Sequence, residues 1–196
     1  MRAIFYNVIQ AFFGYFGASR AIRKVLNKHI RADEASSVLD IGCGTGRYAG
    51  LFKESDYTGI DIDDVYLAYA RKQHSFGKFI KMDAAKLDFP DNHFDYVFSV
   101  STFHHLSDKQ VNESLSEMKG VCRDGGSVYV IDNVYPPKIN FIGYTLFKLD
   151  RGRHQRTFQE MEQLLKKHNF EVLDSNLQGG FPYRYAIFVY RKYSAS

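Results

Sequence analysis

A buried-looking strand that runs into three glycines constrains this chain more than any other feature. It reads Val38-Leu39-Asp40-Ile41-Gly42-Cys43-Gly44-Thr45-Gly46. Short apolar runs of this kind form strands covered on both faces. A turn leaving such a strand for a helix needs φ values that only glycine adopts cheaply. The missing side chains also let a ligand lie against the backbone. A second strand, Tyr57-Thr58-Gly59-Ile60, ends in Asp61, nineteen positions after Gly42. In a doubly wound α/β sheet the glycine turn stands at the carboxyl end of the first strand, where ligands bind. An acid after the second strand is placed to accept hydrogen bonds from ribose hydroxyls. The pair reads as a site for a nucleoside-bearing molecule.

The spacing of the glycines decides which one. A dinucleotide fingerprint, G-x-G-x-x-G, requires glycine or alanine at position 47, and this chain has Arg47. Asp40, just before the turn, is awkward for a pyrophosphate but suits the ammonium of a methionine moiety. These details favour S-adenosylmethionine over NAD.

The rest of the chain alternates. Strands are expected at 37–41, 57–60, 78–82, 94–99 and 126–131. Helices are expected at about 46–53, 63–72 and 108–120, the last opened by Ser107 as N-cap. Such alternation implies a parallel sheet covered on both faces. After a helix at 157–168, the segments 170–173 and 185–190 are joined by Gly179-Gly180 with no helix between them, so they pair antiparallel. The chain has 196 residues, the length of one domain with a full core. Residues 3–30 read as helical, with Ile4, Phe5, Val8, Ile9, Phe12, Phe13 and Phe16 on one face and Arg20, Arg23, Lys24 and Lys28 on the other. This segment either caps the cleft or touches a membrane surface.

The stretch Val38 to Gly46 resembles the first motif of the class I S-adenosylmethionine-dependent methyltransferases, and the likeness extends from about Ser37 to Tyr190. Lys81-Met82-Asp83-Ala84 is similar to that family's third strand end. Phe94 to Ser99 resembles its fourth strand and Gly125 to Ile131 its fifth. The nearest flavour is the subgroup that includes quinone-type and other small-molecule enzymes. The resemblance implies a Rossmann-like α/β fold, a mostly parallel sheet ending in an antiparallel hairpin. It implies S-adenosylmethionine as cofactor and S-adenosylhomocysteine as product. It assigns Asp40, Gly42, Gly44 and Gly46 to the cofactor, Asp61 to the ribose and Asp83 to the adenine amino group, with Ile62, Ala84 and Ser99 beside them.

Methyl transfer from a sulfonium asks the protein mainly for positioning. A base is needed only if the acceptor loses a proton. His104 and His105, after the fourth strand, are the candidates, because neutral imidazole accepts a proton near pH 7. Residues 134–156 read as an insertion on the substrate side, with Arg151, Arg153, His154 and Arg156 beside Asp150. Arginine forks bind carboxylate or phosphate, so the expected acceptor is small or lipid-like and carries an acidic group. Asp132-Asn133 is similar to part of the metal site of catechol-type enzymes, but Val100 stands where that site needs an acid, so no metal is expected.

Composition adds bounds. A net charge of +4 is no nucleic-acid signature by itself. Two cysteines, Cys43 and Cys122, make no metal framework and fit a reducing cytoplasm. No run reaches the ~18 apolar residues of a membrane span. The expected location is cytoplasmic, with a peripheral membrane contact left open; the oligomeric state is not legible. An RNA methyltransferase, a cofactor-binding regulator without turnover and a pyridine-nucleotide oxidoreductase stay open as alternatives. Arg47 and the terminal hairpin argue against the last.

Overall fold

One mixed sheet organises the computed structural model, which describes residues 15–134, 154–178 and 184–193. Its strands are β1 (Ser37–Ile41), β2 (Asp56–Asp61), β3 (Lys78–Lys81), β4 (Phe94–Val100), β5 (Cys122–Val134), β6 (Glu171–Gln178) and β7 (Arg184–Arg191). They lie in the order β3-β2-β1-β4-β5-β7-β6. The first five pair in parallel. β7 runs antiparallel between β5 and β6. The strand order reverses between β1 and β4, the switch point where α/β sheets open a crevice at their carboxyl edge.

Among the described residues four helices cover the sheet: α1 (Tyr15–His29), α2 (Asp64–Gln73), α3 (Asp108–Val121) and α4 (Phe158–Lys166). Their starts follow from capping chemistry. Ser107 and Gln110 form a reciprocal capping box at α3, and Thr157 and Glu160 do the same at α4. Asp63 accepts from the Val65 and Tyr66 amides at α2. On one side of the sheet Val111, Leu115 and Met118 of α3 and Met161 and Leu165 of α4 pack against Leu39, Val97 and Val128. On the other side Ile22 and Leu26 of α1 and Leu67 and Ala70 of α2 pack against Val38, Phe98 and Ile131. Each fully buried side chain of this size contributes roughly 1.5–3 kcal/mol.

Two expectations are corrected. The segment expected as a helix over 46–53 is a series of turns ending in a short 3-10 helix, Ala49–Leu51. Gly42, Gly44 and Gly46 all have positive φ (72°, 53° and 75°), so no α-helical register can start inside the turn. Tyr48, Ala49 and Phe52 are instead buried one by one in the core. β5 is also longer than 126–131. The register shifts between Phe94 and Tyr96, and Gly126 makes this possible: a Cβ there would meet the Asp95 carbonyl at 2.7 Å. Residues 3–14, 135–153 and Gly179-Gly180 lie outside the described residues.

Candidate active site

The glycine turn is stitched to β2: the Gly42 and Cys43 amides both donate to the Ile60 carbonyl at 2.9 Å. Its three glycines do different work. A Cβ on Gly42 would sit 2.3 Å from Thr102 Oγ1, and one on Gly46 would crowd His74, Ala70 and Phe79. A Cβ on Gly44 would meet nothing within 4 Å. The outer glycines therefore let the turn pack on the protein, and the middle one faces open space as a wall for a ligand. Asp61 stands against that wall. Its carboxylate accepts from the Gly44 amide and the Asp63 amide, each at 2.9 Å, which fixes it at the end of β2.

Asp40 is 2 % exposed and accepts a hydrogen bond from the Tyr57 hydroxyl at 2.7 Å. Burial pushes its carboxyl up to about 7, against the Tyr57 hydrogen bond and with a push from Asp61. It has no cationic partner among the described residues. A desolvated acid of this kind suits a ligand that brings a positive charge. Cys43 packs behind the turn against Gly59, and burial pushes its thiol up, away from nucleophilic use.

The remaining cofactor candidates line the same edge. Ile62 is exposed beside Asp61. Asp83 follows β3, also exposed, and accepts from the Ala85 amide; Ala84 lies between them, half-buried. Ser99 is buried, and its hydroxyl donates to the Ile41 carbonyl, tying β4 to the end of β1. It therefore supports the turn from behind.

The structure separates the two histidines. Both sit on a 3-10 turn, Phe103–His105, that follows β4. His105 is exposed, whereas His104 is 5 % exposed with Nδ1 2.7 Å from Asp132 Oδ1. Asp132 Oδ2 accepts from the Phe103 and His104 amides, and Oδ1 also accepts from the Asn133 amide. The carboxylate thus holds both the turn and the ring. It takes the Nδ1 proton as acceptor, which makes Nε2 the basic nitrogen of neutral His104. Ser101, between β4 and this turn, has φ 56°, a strained value for a residue with a side chain. Asn133 Oδ1 is buried with no hydrogen-bond partner among the described residues. In the sequence Asp132 resembles only part of a metal site, and nothing local pairs it with His104. The signal was the parallel register, which sets Val100 beside Ile131 and so brings the two carboxyl ends together.

Arg156 has a different place from the one expected. It is buried, and its Nε and Nη2 donate to Asp108, Nη1 to the Phe103 and His154 carbonyls, and Nη2 also to the Leu106 carbonyl. A guanidinium has five N–H donors, and these contacts use all of them. Arg156 straps the His104 turn and has no donor left for an acceptor. The His154 amide adds a bond to the His104 carbonyl at 3.0 Å, while its side chain is exposed beside a polar hollow of about 340 Å³ with Asp108, Gln155 and Glu160. Arg151 and Arg153 lie outside the described residues. Among the described residues, no three His, Cys, Asp or Glu side chains converge as a metal site, and no helix is long and apolar enough to cross a membrane.

Residues 38–126 match the family model described as a methyltransferase domain. The chain is 34% identical over 146 residues to a fatty-acid O-methyltransferase of Mycolicibacterium smegmatis, covering 71% of this chain and 49% of that one. It is 33% identical over 128 residues to a phosphatidylethanolamine N-methyltransferase of Cereibacter sphaeroides, covering 62% of each. The aligned part thus spans about half to three-fifths of these relatives' length. Among solved structures, the PH0226 protein of Pyrococcus horikoshii superposes with a TM-score of 0.74 at 20% identity, over 96% of this chain and 98% of that one. Motif, strand order and relatives agree, and the chain belongs to the class I S-adenosylmethionine-dependent methyltransferase family.

Proposed function

We propose that this protein transfers a methyl group from S-adenosylmethionine to an oxygen or carbon of a small or lipid-like acceptor, with His104 as general base. The observation that carries the reading is the convergence, at one sheet edge, of the open Gly44 wall with Asp61 and of the His104–Asp132 pair. The names of the relatives, which act on a fatty acid and on a phospholipid, support a lipid-like acceptor.

The cofactor supplies a methyl group already activated on a sulfonium. The chain's own work is then positioning and proton handling. Asp61 holds ribose hydroxyls, and Ile62 and Asp83 flank the base. Asp40 neutralises the positive end. The acceptor's proton goes to His104 Nε2, and Asp132 stabilises the imidazolium that results, as a carboxylate does in hydrolase triads. Arg156 keeps the histidine turn in place. Arg151, Arg153 and His154 are assigned to an acidic group on the acceptor, and His105 to the mouth of the cleft.

The test is transfer of labelled methyl groups to a panel of fatty acids, phospholipids and phenolic acceptors. Label in the organic extract, with kcat reduced about 10²–10⁴-fold in His104→Gln and cofactor affinity unchanged, supports the proposal. Full turnover by His104→Gln removes the histidine from the chemistry. No transfer to any acceptor by protein that binds the cofactor favours a binding protein without turnover.

A further inference from the structure

The side of the sheet covered by α1 and α2 carries two features that methyl transfer does not use. The first is charge. Residues 1–32 contain six of the chain's 26 Lys and Arg residues and none of its 22 Asp and Glu, so the rest of the chain is net acidic. On α1, Ile22 and Leu26 are buried, and Arg20, Lys24 and Lys28 are exposed, with Arg31 just beyond. None of these four cations has a hydrogen-bond or ion-pair partner among the described residues. Arg191 at the end of β7 extends the patch. It and Lys28 add to burial in holding the His29 imidazole below its ordinary value.

The second is apolar surface. Only Leu67 and Ala70 of α2 are buried. Val65 is 75 % exposed, Tyr69 54 % and Tyr66 49 %. These residues share an outward face of a helix on the same side of the sheet as α1. The middle of α1 adjoins the end of the glycine turn, where Arg23 donates to the Arg47 carbonyl and lies over the Tyr48 ring.

We propose that this side of the protein docks on an anionic lipid bilayer, with the α1 cations on the headgroups and Val65, Tyr66 and Tyr69 in the interfacial layer. Unpaired cations beside aliphatic and aromatic side chains are the composition of interfacial binding. The exposed Val65 side chain gains nothing against the phosphates of a nucleic acid, which sets RNA second. Because α1 lies against the residues that follow the glycine turn, docking also brings the cleft close to the membrane. The inference concerns the surface and stands apart from the methyl-transfer reading.

Flotation of the full chain with phosphatidylcholine vesicles, with and without phosphatidylglycerol, tests it. Circular dichroism and a melting curve are measured in parallel to show that each variant is folded. The expected result is binding that requires phosphatidylglycerol and weakens as salt rises. The triple variant Arg20→Glu, Lys24→Glu, Lys28→Glu should bind at least about a hundredfold more weakly, from roughly 1 kcal/mol per cation near the surface. Tyr66→Ser with Tyr69→Ser should give a smaller loss that salt does not change. Equal flotation of parent and triple variant overturns the proposal. So does failure of folded parent protein to float, or salt-dependent binding to RNA without binding to vesicles.

Discussion

Asp40 shows how a single residue couples the fold to the ligand. Its carboxyl is raised to about 7 in the folded protein by burial, against about 3.8 as the ordinary value. The folded state therefore binds more protons than the unfolded one between these values. The stability Asp40 contributes is fully present below pH ~4 and lost as pH rises through about 7. The parent should lose on the order of 4 kcal/mol over that range relative to Asp40→Asn. Melting temperatures of both proteins across the range check this, and parallel curves would contradict it. The glycines make a second prediction. Gly42→Ala meets both a left-handed φ and Thr102, whereas Gly44→Ala meets the backbone penalty alone, about 1–2 kcal/mol. Gly42→Ala should melt well below Gly44→Ala, and Gly44→Ala should still fold while losing cofactor affinity. At this scale the sequence was legible where chemistry is local, as in the glycine spacing and Asp61. The burial of Asp40 was not, because it depends on Tyr57 in the neighbouring strand.

Elements set the geometry of the histidine. The 3-10 turn that carries it is held from two directions, by Asp132 on β5 and by Arg156 just before α4. Arg156→Lys keeps the charge but cannot reproduce the fork. It should cost about 1–3 kcal/mol, the typical loss when buried carbonyls are left without a donor, since Asp108 is itself exposed, and lower kcat with little change in cofactor affinity. A variant with parent stability and a raised acceptor KM would return Arg156 to substrate binding. Asp132→Asn should lower the melting temperature, because either orientation of the amide turns its NH2 onto a buried backbone N–H, and should lower kcat like His104→Gln, because the ring loses its oriented tautomer. Helix starts were legible, since Ser107 and Thr157 announce their boxes within four residues. Arg156 was not, because its partners Asp108 and Phe103 are 48 and 53 positions away. The helix expected after β1 failed for a related reason: apolar residues at 48, 49 and 52 mimic helical spacing, and the positive φ of three glycines overrides it.

For the whole molecule, alternation of strands and helices was enough to foresee a parallel sheet, and the missing crossover before residue 185 was enough to foresee its antiparallel end. The insertion of β7 between β5 and β6 was not foreseen, since either edge of a hairpin can join a sheet. The same topology places Gly44, Asp61 and the His104–Asp132 pair at the carboxyl edge, and the account rests on that edge binding S-adenosylmethionine. Calorimetric titration with S-adenosylhomocysteine, with NAD in parallel and Asp61→Ala as control, tests it most directly. The expected result is saturable binding of S-adenosylhomocysteine, none of NAD, and a marked loss of affinity in Asp61→Ala. At about 100 times Kd the ligand should also add ~2.7 kcal/mol of stability. Well-folded protein that binds neither molecule, or binds S-adenosylhomocysteine equally without Asp61, would contradict it.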